Sequence, residues 1–288
     1  MGCGSFTASS FSAYSRSVGR IYDTTTGRVS GQTYTSRSMD DKLNPKNVMR
    51  ECCNTDEHPN TIPVILGLDV TGSMGGACKE TALALGKIVS DLFEKFKDVQ
   101  IMVMGIGDLS YDSAPIQISQ FESDVRIAEW LDKIWLEKGG GGNNFESYTA
   151  AWYMGLYHTK LDAYDKQGRK GIIITMGDEP LNPYLPKDEL SAVTGDHLQS
   201  DVETPQLFKD ASEKFHIFHI AVDDPENCYK RFYKHNVDKS FKEVLGGQRF
   251  IISTIKNLGQ TICDCVETSV NSSSLASPVD ENEDGISW

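Results

Sequence analysis

Apolar runs of strand length recur between stretches of helical period, and polar residues collect just after those runs. Together these predict an α/β chain: a Rossmann-like three-layer α/β/α sandwich with a mostly parallel central sheet. The runs are continuous rather than alternating, which marks strands covered on both faces. Hydrophobic residues make up 39% of the 288, enough to fill a packed core.

In chain order, residues 1–58 are rich in Ser, Thr, Gly, Tyr and Arg, with little apolar periodicity. They read as an N-terminal extended arm with at most short strands, lying outside the core. The domain proper is assigned to residues 59–270. "IPVILGLDV", bounded by Pro63 and glycines, is its first buried strand. Leu85, Ile88, Val89, Leu92, Phe93 and Phe96 then form one helical stripe. "VQIMVMGIG" is a second buried strand, and "PIQISQFE" alternates like a half-buried edge strand. Ile127, Trp130, Leu131 and Ile134 share a face of a helix over 123–136. After the glycine run 139–142, a helix is expected from Glu146 to about Leu161. "GIIITMG" and "FHIFHIAV" are further buried strands, separated by a long irregular insertion from Asn182 to Thr204. "RFIIST" is a short last strand, and Ile255, Leu258, Ile262 and Val266 mark a closing helix. Residues 271–288 read as an acidic, disordered tail.

The formal net charge is −13. An acidic surface repels nucleic-acid phosphates and anionic membranes, so neither is an expected partner. The seven Cys contain no CxxC pair, which argues for reduced thiols and a cytoplasmic setting, or a virion for a phage-encoded chain. No apolar run has the length of a membrane span. "MGCGSF" lacks the apolar stretch of a signal peptide, and Phe6 stands where a myristoylation signal wants Ser or Thr.

In parallel sheets ligands sit beyond the carboxyl ends of the strands. Asp69, Thr71 and Ser73 follow the first strand, and Asp108 and Asp112 the second. Asn143, Asn144 and Glu146 follow the glycine run. Asp178 and Glu179 follow "IIITMG", and Asp223 and Asp224 follow "FHIFHIAV". Crowded carboxylates repel one another unless a cation or proton intervenes. An all-oxygen set suits a hard cation: Mg²⁺, or Mn²⁺ or Ca²⁺ in its place. Gly72, Gly75 and Gly76 let the first loop turn tightly around it. Asp108 and Asp112 read as solvated loop acids and Asp223–Asp224 as a turn. His216 and His219 read as structural strand residues on opposite faces, and Trp152, Tyr153 and Tyr157 as helix packing.

"DVTGSM" after an apolar strand resembles the first loop of a von Willebrand factor A-type (vWA) domain, whose Asp-x-Ser/Thr-x-Ser loop belongs to a metal-ion-dependent adhesion site. Asp178 in "IIITMGDEP" matches the family's third-loop Asp, and the resemblance covers about residues 60–268. It implies one antiparallel edge strand. It also implies a metal site of Asp69, Thr71, Ser73 and Asp178, and a partner's carboxylate in the cation's open position. The second loop departs from the pattern: "GGGGNNFES" has no Thr until Thr149. This is similar to the subgroup found with alpha-kinases and in microbial and phage proteins, where Glu146, or Asn143 or Asn144, takes the missing Thr's place.

Two enzyme readings fail on residue type. A phosphate-binding G-x-x-x-x-G-K-[ST] loop would need glycines at Ser73 and Cys78, and Glu80 follows Lys79. A haloacid-dehalogenase-type phosphatase would need an acid where Thr71 stands. The expected function is therefore metal-dependent protein binding rather than catalysis. The alternatives are a structural component of a phage particle or other assembly, with homo-oligomers tied through the arm, or a partner subunit of an ATPase or kinase system.

Overall fold

The computed structural model describes residues 5–22, 29–30, 34–137, 143–225, 229 and 234–274. The chain begins with helix α1 (Ala8–Ser17) and the short strands β1 (Ile21–Tyr22), β2 (Val29–Ser30) and β3 (Arg50–Cys52). β4 (Ile62–Asp69), α2 (Gly75–Lys95), β5 (Val99–Ile106), β6 (Ile116–Ile118) and α3 (Arg126–Lys133) follow. Next come α4 (Thr149–Tyr157), β7 (Thr159–Leu161), α5 (Asp162–Asp165) and β8 (Gly171–Gly177). An insertion holds β9 (Tyr184–Leu185), α6 (Lys187–Thr194) and β10 (Val202–Glu203). The chain continues with α7 (Thr204–Lys214), β11 (Phe215–Val222), α8 (Lys234–Leu245), β12 (Phe250–Ser253) and α9 (Leu258–Ser274).

The central sheet has the order β12-β11-β8-β4-β5-β6. All neighbours are parallel except β6, which runs antiparallel to β5 at the edge. Period-two alternation splits each strand between two cores. Val64, Leu66 and Leu68 of β4 face one side with Ile172, Ile174 and Met176 of β8. There they meet Val89 and Leu92 of α2 and Ile262 and Val266 of α9. Ile65, Ile173 and Ile217 face the other side, against Trp152 of α4, Leu207 of α7 and Phe241 of α8. The three-layer sandwich and its antiparallel edge strand are thus present.

Several local expectations are corrected. The described residues of the segment 1–58 do not form an extended arm outside the core. Thr7 and Ser10 cap α1 reciprocally, and Phe6 and Phe11 are buried in the same core as α2 and α9. The Phe6 amide donates to Ser123 O at 2.8 Å, and Tyr14 and Arg20 both bond Asp132. β3 pairs in parallel with β7. The Arg50 guanidinium donates to Ile118 O at 3.0 Å, and all of β6 is buried rather than half-buried. An arm offering Phe6 and Phe11 to a neighbouring subunit would have to withdraw them from this chain's own core.

The insertion from Asn182 to Thr204 is ordered, because β9 pairs with β10 and α6 ends at Gly195 with φ +84°. Both strands are too short to show a period in sequence. The helix expected from Glu146 to Leu161 is α4, which starts later because Glu146 instead bridges to Leu181. The tail assigned to 271–288 starts inside α9, and residues 275–288 lie outside those described.

Candidate metal centre

The parallel strands bring the predicted loops to one edge. Asp69 closes β4 and is fully buried. Its Oδ1 accepts the Thr71 amide at 2.9 Å and the Thr71 hydroxyl at 2.6 Å. Its Oδ2 accepts the Tyr148 hydroxyl at 2.6 Å. Ser73 donates its hydroxyl to Asp178 Oδ1 at 2.9 Å, and Thr71 Oγ1 lies 3.1 Å from Ser73 Oγ. Asp69, Thr71, Ser73 and Asp178 therefore form one continuous chain of oxygens. Both hydroxyl protons have a carboxylate to go to, which leaves lone pairs of Thr71 and Ser73 side by side.

Glu146 joins the group by charge rather than by a hydrogen bond to it. Its amide donates to Pro180 O at 3.4 Å, which ties it to the third loop. It is 4% exposed, and its Oε2 is buried with no hydrogen-bond partner. Burial, then Asp69, Glu179, Asp112 and Asp108, push its carboxyl far above the ordinary glutamate range. Burial and then Asp178 likewise raise Asp69, against the hydrogen bonds from Thr71 and Tyr148. Burial, then Asp69 and Asp178, lift Glu179 to about 8. An unpartnered buried oxygen among like charges is unfavourable for a protein alone and suitable for a cation.

Sequence reasoning missed one member of this centre, Tyr148, named Glu179 without giving it a role, and misjudged Asp108. Tyr148, two residues after Glu146, is fully buried and spans two loops: it donates to Asp69 and accepts the Glu179 amide at 3.3 Å. Gly177 makes room for it, since a Cβ there would overlap the Tyr148 hydroxyl. His219 packs edge-on against the Tyr148 ring at 4.9 Å, stacks on Phe241 and bonds Thr175, as a structural strand histidine does. Nothing in the sequence singles out one tyrosine of eleven. Glu179, adjacent to Asp178, is 8% exposed and hydrogen-bonds Ser73. Asp108 is not a solvated loop acid: it is 3% exposed, accepting the Ser110 amide at 2.7 Å and a hydrogen bond from Asn143. Asp112 folds back to accept the Asp108 amide at 2.8 Å. Asn143 thus serves Asp108, and Asn144 is exposed.

Whether these residues fit a cation can be judged from their spacing. Mg²⁺ holds oxygens octahedrally at 2.0–2.1 Å, so neighbouring ligands lie about 2.9 Å apart. The 3.1 Å and 2.9 Å separations along Thr71, Ser73 and Asp178 match that edge. Among the described residues no group of three or more His, Cys, Asp or Glu could hold a metal alone. The fit therefore depends on the two hydroxyls together with Asp178.

No protein-family model matches the chain, and no curated protein matches it. Solved structures match in fold. The pilus adhesin SpaC from Lactobacillus rhamnosus GG, in its open conformation, is 10% identical with a TM-score of 0.50 over 78% of this chain. The vWF domain of the type V pili tip protein Mfa5 from Porphyromonas gingivalis is 13% identical with a TM-score of 0.46, over 76% of this chain and 98% of that one. Proximal thread matrix protein 1 from the mussel byssus, solved with a zinc-occupied MIDAS motif, is 12% identical with a TM-score of 0.45, over 72% of this chain and 47% of that one. The chain spans 31% of the length of SpaC. At these identities the likeness is one of fold alone: a six-stranded, mostly parallel sheet between helical layers.

Proposed function

We propose that this chain is a cation-dependent, adhesion-type protein-binding module of the vWA subgroup found in microbial and phage proteins and with alpha-kinases. Its ion is a divalent cation, Mg²⁺ first and Mn²⁺ or Ca²⁺ in its place. Thr71, Ser73 and Asp178 supply the direct oxygens. Asp69 orients Thr71 and neutralises charge directly or through water, and Glu146 adds a further carboxylate. When bound, the ion supplies an electrophilic open position that accepts a partner's carboxylate.

The observation that carries this reading is the Thr71–Ser73–Asp178 oxygen chain at octahedral spacing, beside the orphaned Glu146 Oε2. Binding rather than turnover is supported by Asp69 itself. Its oxygens accept hydrogen bonds from the Thr71 amide and from the hydroxyls of Thr71 and Tyr148, a poor state for a nucleophile. The subgroup assignment rests on the glycine run followed by Asn143, Asn144 and Glu146. Cytoplasmic or virion placement is supported by the free thiols of Cys52, Cys53, Cys263 and Cys265.

The test is calorimetric titration with Mg²⁺ and Mn²⁺, together with capture of binding proteins in Mg²⁺ and in EDTA. Saturable binding, reduced at least tenfold by Asp178→Ala, is expected. No heat at millimolar cation overturns the reading.

A further inference from the structure

A cleft of about 540 Å³ lies between the amino-terminal segment, the last turns of α2 and the loops that lead into β4 and β5. Small-molecule sites are commonly concave, of this size, with apolar walls and a few convergent polar groups. Phe6 and Phe93 supply apolar wall here, their rings stacked with centroids 6.0 Å apart. His58 lines the same cleft and is 4% exposed. Its amide is fixed by the Thr55 hydroxyl, and its Nδ1 faces Asp98 Oδ1 at 3.2 Å. That carboxylate draws the ring proton to Nδ1, which leaves Nε2 of the neutral ring as an acceptor. Among the described residues nothing hydrogen-bonds Nε2, and it is open to the cleft.

Glu57 and Glu94 also line the cleft, both exposed and neither in an ion pair among the described residues. Lys97 is the one Lys or Arg of the lining. The polar groups are thus mainly acceptors, set beside aromatic rings. A ligand that matches them brings N–H donors and positive charge at one end and an apolar body at the other. A neutral or anionic ligand of the same shape leaves acceptors unmatched.

We propose that this cleft binds a primary organic ammonium with an apolar body. Its N–H groups meet His58 Nε2 and the carboxylates of Glu57 and Glu94, and its body lies against Phe6 and Phe93. A free arylalkylamine and the lysine side chain of a partner protein share this chemistry. The inference is independent of the cation reading, since the cleft lies before β4 and β5 begin and Asp69 closes β4 at its other end.

The experiment titrates the full chain in EDTA with phenethylammonium, followed by the backbone amide resonances. Saturable shifts are expected at residues 5–8, His58 and Asp98. Binding should be at least tenfold tighter than that of 2-phenylethanol or phenylacetate, which carry the same ring. The paired change Glu57→Gln with Glu94→Gln alters only exposed positions and should weaken the amine several-fold, whereas Lys97→Gln should tighten it. A capped lysine amide is the second arm. Affinity equal to that of phenethylammonium assigns the cleft to a protein lysine, and tenfold weaker binding assigns it to a free arylalkylamine. Equal binding of the amine and the alcohol, or tighter binding of phenylacetate, overturns the inference. So does the absence of shifts at these amides in tens of millimolar amine.

Discussion

The two edges of the central sheet treat their carboxylates in opposite ways. At the amino edge they are satisfied by the chain. Burial works against the charge of Asp196, yet Tyr153 and His158 both bond it, and its carboxyl stays below the ordinary range. Asp162 is also held low: burial opposes it, but Lys166 and the Asn54 amide prevail. A buried cation on this side is matched as well, since Lys214 donates to the carbonyls of Gly155, Leu156 and Thr159. At the carboxyl edge Asp69, Glu146 and Glu179 are all raised, by burial first and then by neighbouring carboxylates. One edge holds its carboxyls low with donors; the other crowds buried carboxyls together and leaves Glu146 Oε2 without a hydrogen bond, which makes room for a further partner. The chemistry of the donors suits a hard cation in that place.

The largest effect expected in breaking this contrast lies at the paired edge. Lys214→Met strips the donor from three carbonyls at the end of α4 and the start of β7, and should cost about 3 kcal/mol whether or not Mg²⁺ is present. Urea melts in Mg²⁺ and in EDTA check it, and the two losses should agree. At the unpaired edge, Tyr148→Phe leaves Asp69 Oδ2 and the Glu179 amide without their shared partner. It should cost about 2 kcal/mol in EDTA. It should also weaken Mg²⁺ uptake, because Asp69 no longer has a fixed orientation.

Glu146→Gln sharpens the contrast by separating two roles. Removing a buried like charge should raise the melting temperature in EDTA. The same change should weaken Mg²⁺ binding about tenfold, equivalent to about 1.4 kcal/mol. If thermal scans show Gln lowering stability in EDTA, Glu146 has a protein partner and the edge is less frustrated than described. Thr71→Ser keeps the hydroxyl and loses one buried methyl. A stability loss of about 0.8 kcal/mol with unchanged Mg²⁺ affinity is expected.

The two edges also titrate with opposite sign. The Asp162 and Asp196 carboxyls are lower in the folded chain than in the unfolded one. Their contribution is therefore present above the ordinary value of 3.8 and is lost on acidification. Glu179 is the reverse. Between its ordinary 4.5 and about 8, the folded chain holds a proton that the unfolded chain has released, so stability declines as pH rises. Metal-free protein should thus lose stability from pH 5 to pH 8, and Mg²⁺ should flatten that decline. Melting curves across this range, with and without EDTA, would show it.

Much of this arrangement was legible in the sequence. Buried parallel strands announce themselves as continuous apolar runs, and "DVTGSM" and "TMGDEP" sit at the ends of two of them. Asp69, Thr71, Ser73 and Asp178 meet because parallel strands must end at a common edge. What escaped was whatever depends on packing across long separations. Tyr148 reaches Asp69 only because Gly177 lacks a side chain. Asp108 looks like any loop acid until Asn143 and the Ser110 amide are seen to hold it. The amino-terminal segment misled for a related reason. α1 is serine-rich, and its hold on the core passes through Phe6 and Phe11, too few positions to register as a period.

If a cation completes the carboxyl edge, the melting temperature of the unmodified chain at pH 8 should respond as Mg²⁺ is raised from an EDTA-treated start. At about a hundred times its Kd, a ligand that binds only the folded chain adds about 2.7 kcal/mol. A rise of several degrees that continues with the logarithm of Mg²⁺ concentration is expected. A melting temperature that stays flat into the tens of millimolar would contradict it.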